Sequence, residues 1–104
     1  MAKNTRKDRS TALYEAVLGL KDADEARRFF EDLCSPTELR SMEQRFDVAR
    51  MLLQNKVYTE ILEKTGTSSA TISRVRRNII DNEAGGAMKE LILRGGFAED
   101  KKES

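Results

Sequence analysis

The stretch YTEILEKTGTSSATISRVRR, residues 58–77, decides how this chain folds. Two short amphipathic segments flank a single glycine, Gly66. Upstream of it lie Ile61 and Leu62. Downstream, Ile72 and Val75 stand three apart on one helical face, with Ile79 four further on. Two helices that share so small a core must cross steeply over a turn of only a few residues. The turn needs a left-handed backbone at the end of the first helix, which glycine adopts without a steric penalty. Either Ser68 or Ser69 can cap the second helix by accepting bonds from its free N–H groups. Thr71 and Ile72 are β-branched, which lowers helix propensity slightly but suits a tightly packed junction. Leu62 occupies a position that is usually small in helix-turn-helix pairs, because it faces the second helix closely. That departure predicts a variant packing of the motif.

The opposite side of the second helix carries Ser69, Ala70, Ser73, Arg74 and Arg77. It is small and hydroxylic at its start and basic further along. Small residues allow close approach to base edges and thymine methyls in a major groove, and arginine can fork onto guanine or phosphate. From Lys64 to Ile80 there are four bases (Lys64, Arg74, Arg76, Arg77) and no acid. By contrast, residues 22–47 hold eight acids: Asp22, Asp24, Glu25, Glu31, Asp32, Glu38, Glu43 and Asp47. The net charge of +1 hides this separation. Localised positive charge, rather than the total, is what attracts phosphates. The residues expected to contact double-stranded DNA are Lys56, Thr67, Ser68, Ser69, Ala70, Thr71, Ser73, Arg74, Arg76 and Arg77.

Outward from the motif, apolar residues recur at helical spacing and never alternate cleanly. Six helices are predicted, an all-α fold. The first spans about 10–18, with Leu13, Ala16, Val17 and Leu20 as its apolar set. The second spans about 23–33, with Asp22 as N-cap, Glu25 as capping-box partner and an apolar face of Ala26, Phe29, Phe30 and Leu33. The third opens at Ser35-Pro36 with Glu38 following and runs to about Leu53. The rest lie near 58–65, 68–80 and 86–94. Residues 10–94 form a single domain in this reading, with mobile tails at 1–9 and 95–104 that are rich in charge. Gly85–Gly86 reads as a hinge or helix start. The chain has 104 residues, 38% of them apolar. A monomer of this size buries little, so association with a second copy is expected.

Two stretches resemble the tryptophan repressor family: LCSPTELRSMEQRFDVARMLL at 33–53 and TEILEKTGTSSATISRVRRNII at 59–80. They share its order of a Ser/Thr-Pro helix start, a long helix with a central arginine, and a motif containing A-T-I-[ST]-R. The similarity is greatest to the repressor-related group called YerC/YecD. It covers roughly 33–94 and is weaker before residue 33. The resemblance implies an intertwined, six-helix homodimer whose two reading heads meet successive major grooves of a palindromic operator, ~34 Å apart. It implies a regulator, a repressor by family habit, that works in the bacterial cytoplasm at the nucleoid. In the tryptophan-binding members two arginines sandwich the indole, and Arg45 and Arg74 match them. The next residue there is glycine, where this chain has Val75. Asn78 replaces a hydroxyl residue and Ser35 a threonine of the same effector pocket. Val75 would fill part of the space the indole needs, which predicts that L-tryptophan is not required. Arg45 also reads as a solvated arginine pairing with Glu43 or Asp47, and Arg74 as a phosphate contact.

Other classes fare worse. There is no histidine and one cysteine, Cys34, which excludes the usual zinc sites and an intrachain disulfide. Neither a metal nor a cofactor is expected. Cys34 precedes a helix start, where a thiol can acquire a lowered pKa, but a small apolar role fits it better. Glu60 and Glu63 read as a solvated face. No nucleophile–base pair or phosphate-cradling loop appears, so an enzyme is not expected. No apolar run approaches the length of a membrane span. Two alternatives stay open: a protein-interaction module using the same helix pair, and a repressor gated by another small effector.

Overall fold

The computed structural model describes residues 9–82 and 86–95. The predicted tails, apart from Arg9 and Gly95, and Gly85 lie outside the described residues. Six α-helices follow in order: α1 (Ala12–Leu18), α2 (Ala23–Leu33), α3 (Pro36–Leu53), α4 (Tyr58–Thr65), α5 (Ser69–Val75) and α6 (Ala87–Gly95). A π-helical segment, Arg76–Ile80, continues α5. The described residues contain no strand. The chain divides into two compact units, Met1–Leu39 and Arg40–Ser104, with the boundary inside α3.

In the first unit the helix starts follow the local chemistry. The Asp22 carboxylate accepts from the Glu25 N–H at 2.8 Å, while the Glu25 carboxylate accepts from Lys21 N–H, one residue upstream of the expected partner. Ser35 and Glu38 form a complete capping box: the Ser35 hydroxyl accepts from Glu38 N–H at 3.1 Å and Glu38 Oε1 accepts from Ser35 N–H at 2.8 Å. On the polar side of α2, Arg27 lies between Asp24 and Glu31. Those two carboxylates push the exposed guanidinium's pKa up, first through Glu31. The apolar side is less settled. Phe29 and Phe30 meet edge to face with centroids 5.1 Å apart, yet neither α1 nor α2 contains a buried residue.

The second unit has a closed core. Val48, Ala49, Met51 and Leu52 from α3, Ile61 from α4, Ile72 and Val75 from α5, and Ile92 from α6 are all buried. Phe46, Tyr58, Leu62, Ile79, Ile80 and Met88 pack around them. Leu62 is thus accommodated half-buried beside a fully buried Ile61.

α3 ends in a Schellman motif that the sequence reading did not anticipate. Asn55 takes the left-handed conformation at φ 65°. The Lys56 N–H then reaches the Met51 carbonyl at 3.1 Å and the Asn55 N–H reaches that of Leu52 at 3.0 Å. Asparagine tolerates this backbone because its short polar side chain relieves the strain. The expected helix over 68–80 is the one element whose character changes. It is α-helical only to Val75, after which the Asp81 N–H bonds to the Arg76 carbonyl, five residues back, at 2.8 Å. The reason lies in the apolar spacing. Val75 is followed by Ile79 and Ile80, and a turn closed over five residues lets both approach the core.

The left-handed conformation at Asn55 makes a clear stability prediction. Asn55→Val, β-branched, should lower unfolding free energy by about 1–2 kcal/mol, whereas Asn55→Gly should fold at least as stably. Urea denaturation of the three proteins measures the difference.

Candidate nucleic-acid interface

The site is built from the turn between α4 and α5, which is tied down at every polar atom that matters. Gly66 adopts φ 70°, ψ 14°, and its N–H bonds to the Leu62 carbonyl at 2.9 Å. Nothing lies within 4 Å of where a Cβ on Gly66 would sit, so the backbone angle alone requires glycine. The Thr65 hydroxyl donates to the Ile61 carbonyl at 2.7 Å and accepts from Thr67 N–H at 3.3 Å. Gln44 on α3 donates its amide N–H to the Thr65 carbonyl at 3.1 Å. The turn is therefore anchored to the long helix as well as to its own flanks.

Ser68, rather than Ser69, caps α5. Its hydroxyl oxygen accepts from Thr71 N–H at 3.1 Å and its O–H lies 3.1 Å from Thr71 Oγ1. Ser69 has no capping duty and is exposed. With Ile72 and Val75 buried on the inner side, the outer side presents Ser69, Ala70, Ser73, Arg74 and Arg77, all exposed. The structure thus brings this predicted face together as one exposed stripe.

The other residues expected at the interface are placed differently. Thr67 and Thr71 are half-buried in the turn and the cap. Lys56 sits 3.7 Å from Glu60, whose carboxylate also lies 3.6 Å from Lys64. Arg76 is engaged within the chain: its Nε donates to the Tyr58 hydroxyl at 3.3 Å, and Nη1 lies 3.9 Å from Asp81. Among the residues matched to an effector pocket, Arg45, Arg74 and Asn78 are exposed, and the Ser35 hydroxyl serves the α3 cap. Asp47 turns to Arg50 at 3.3 Å. Val75 belongs to the hydrophobic core, with 3% of its surface exposed.

Four positioning groups escaped the sequence reading: Gln44, Tyr58, Asp81 and Lys89. Lys89 on α6 donates to the Ile80 carbonyl at 2.8 Å. Gln44 and Tyr58 act across 21 and 18 residues, separations at which no local pattern signals a contact. The described residues hold no cluster of side chains that could bind a metal.

An all-helical chain with a steep, glycine-turned helix pair and an exposed, basic second helix defines a helix-turn-helix protein. A family profile described as "Trp repressor protein" matches residues 9–92, and the chain belongs to that family. It is 51% identical over 65 residues to the uncharacterised protein YerC of Bacillus subtilis (strain 168), a match spanning 62% of each protein. The match therefore spans less than two-thirds of that relative. A TrpR-like protein from Eubacterium eligens ATCC 27750 superposes with a TM-score of 0.75 at 43% identity, covering 92% of this chain and all 100% of the other. A provisionally named Trp repressor from Staphylococcus aureus gives 0.74 at 35% identity, covering 92% and 97%. The family is one of helix-turn-helix DNA-binding regulators rather than enzymes. Among the described residues no helix is long and apolar enough to cross a membrane.

The two adjacent serines should separate cleanly. Ser68→Ala removes the cap and should cost about 1 kcal/mol of stability. Ser69→Ala should leave thermal unfolding nearly unchanged while altering duplex-DNA binding. Differential scanning calorimetry and fluorescence anisotropy with labelled duplex provide the two readouts.

Proposed function

We propose that this protein is a sequence-specific double-stranded DNA-binding transcriptional repressor that acts as a homodimer on a palindromic operator. The carrying observation is the exposed stripe Ser69, Ala70, Ser73, Arg74 and Arg77 on a helix whose inner residues are buried. A reading surface must hold its side chains in fixed register, and Ile72 and Val75 in the core hold this one. The serines and alanine allow close approach to base edges. Arg74 and Arg77 supply forked donors for guanine or phosphate. As a DNA reader it would work at the chromosome, in the bacterial cytoplasm.

The dimer is supported by what the first unit leaves uncovered. Leu13 is 38% exposed, Leu33 54% and Leu18 85%. Burial of one such side chain is worth roughly 1.5–3 kcal/mol. A second copy with the same apolar helices would supply the missing cover, and a two-fold dimer carries two reading heads for a two-fold operator.

Binding does not depend on L-tryptophan in this reading. Where the tryptophan-binding members have glycine, Val75 fills core space between α5 and its neighbours. A chain that already packs this position has no need of an indole to hold the reading helix.

Selection from random duplex DNA should return a palindrome with half-sites about one helical turn apart. Affinity should fall steeply as salt rises, and the double variant Arg74→Ala, Arg77→Ala should flatten the slope of log K against log salt by about 1.8. Wild-type affinity should be the same with and without saturating L-tryptophan. An unaltered slope in the double variant would remove the reading-head assignment; calorimetric tryptophan binding that tightens the complex would remove the claim of independence.

A further inference from the structure

The π-helical segment is held at both ends by side chains that the DNA-binding reading does not use. At its start, the Arg76 carbonyl accepts the Asp81 N–H at 2.8 Å, the bond that closes the five-residue turn. The same residue's Nε donates to the Tyr58 hydroxyl at 3.3 Å. Tyr58 is the first residue of α4. At the far end, the Ile80 carbonyl accepts from Lys89 on α6 at 2.8 Å. A helix that takes in an extra residue interrupts its α-type ladder, and such turns persist where surrounding contacts favour them.

The geometry points to Arg76 as a positioning residue of the reading head, locked to Tyr58 across the helix-turn-helix, and not as a phosphate contact. Its part in binding rests on the function proposed above, whereas the lock itself does not.

The polar contact carries the pair. The guanidinium carbon is 5.9 Å from the Tyr58 ring centroid, at the outer limit of cation–π attraction. The ion pair with Asp81 is 3.9 Å long between side chains that are 42% and 58% exposed, so it adds little. Arg76 itself is half-buried, unlike the exposed Arg74 and Arg77. A guanidinium directed at a tyrosine of α4 is turned to an internal task.

The consequence follows from helical phase. Along an ordinary α-helix the five-residue step from Val75 to Ile80 would rotate Ile80 about 140° away from Val75. Closing the turn over five residues brings Ile80 back towards Val75's side, and both Ile79 and Ile80 pack against the core. Arg77 lies inside this turn, so its aim depends on the turn being kept. The lock sets that aim by joining the segment's first residue to the opposite helix of the motif.

The test uses the full chain and the duplex recovered by selection, with dissociation constants measured across a salt series. Arg76→Gln and Tyr58→Phe should each weaken binding roughly threefold to tenfold, the range of one modest hydrogen bond, with the salt slope unchanged. Arg77→Gln should lower the slope by about 0.9, the signature of a lost phosphate contact. An equal fall in slope for Arg76→Gln would overturn the proposal by making Arg76 a phosphate contact. In parallel, amide hydrogen exchange without DNA should show faster exchange at Asp81 in Tyr58→Phe, with Leu52 in α3 unaffected. Unchanged exchange at Asp81 would also overturn the lock. If wild-type protein binds no duplex while Asp81 responds as expected, the DNA-binding reading fails and the lock stands.

Discussion

Two helices joined by three residues, Gly66 to Ser68, can share a core only if the backbone reverses without leaving its polar groups unpaired. Gly66 makes the reversal possible by taking a positive φ. The hydroxyls of Thr65 and Ser68 and the amide of Gln44 satisfy the groups that the reversal leaves open. From that turn the remainder follows. Ile61, Ile72 and Val75 meet Val48, Ala49 and Leu52 of α3, and Ile92 of α6 closes the other side. Once the inner residues are buried, the direction of the outer ones is no longer free. The stripe from Ser69 to Arg77 is a surface consequence of a backbone constraint at Gly66.

The two units reach different degrees of closure from similar ingredients. The second encloses eight apolar residues: Val48, Ala49, Met51, Leu52, Ile61, Ile72, Val75 and Ile92. The first has well-capped helices and a paired Phe29 and Phe30, but no buried side chain in α1 or α2. Capping and local ion pairs fix where a helix begins; they contribute little to the free energy of holding helices together. The second unit carries the recognition chemistry on a finished scaffold. The first offers apolar surface in search of cover.

Most helices were legible because their signals are local. Ser35-Pro36-Glu38 announces α3, Asp22 announces α2, and the apolar steps around Gly66 announce the helix pair. The exposed face of α5 was equally legible, since it is the complement of Ile72 and Val75. Three features were not. Asn55 ends α3 through a backbone angle that asparagine adopts only when the neighbouring carbonyls receive the right donors. The change from α to π geometry after Val75 arises from competition between Ile79 and Ile80 for one core, a tertiary matter. Arg76 looked like its neighbours Arg74 and Arg77 because charge alone distinguishes none of them. Only the proximity of Tyr58, 18 positions away, sets it apart.

The Tyr58–Arg76 contact also has a spectroscopic side. The chain contains no tryptophan and two tyrosines, Tyr14 and Tyr58, one in each compact unit. Tyr14 is 55% exposed, whereas Tyr58 is half-buried against the helix pair with its hydroxyl accepting a guanidinium proton. Their phenol signals report separately on the two units, with Tyr58 as the natural reporter of the reading head. Because the protein is silent at wavelengths that excite only indole, added free tryptophan can be followed against a dark background.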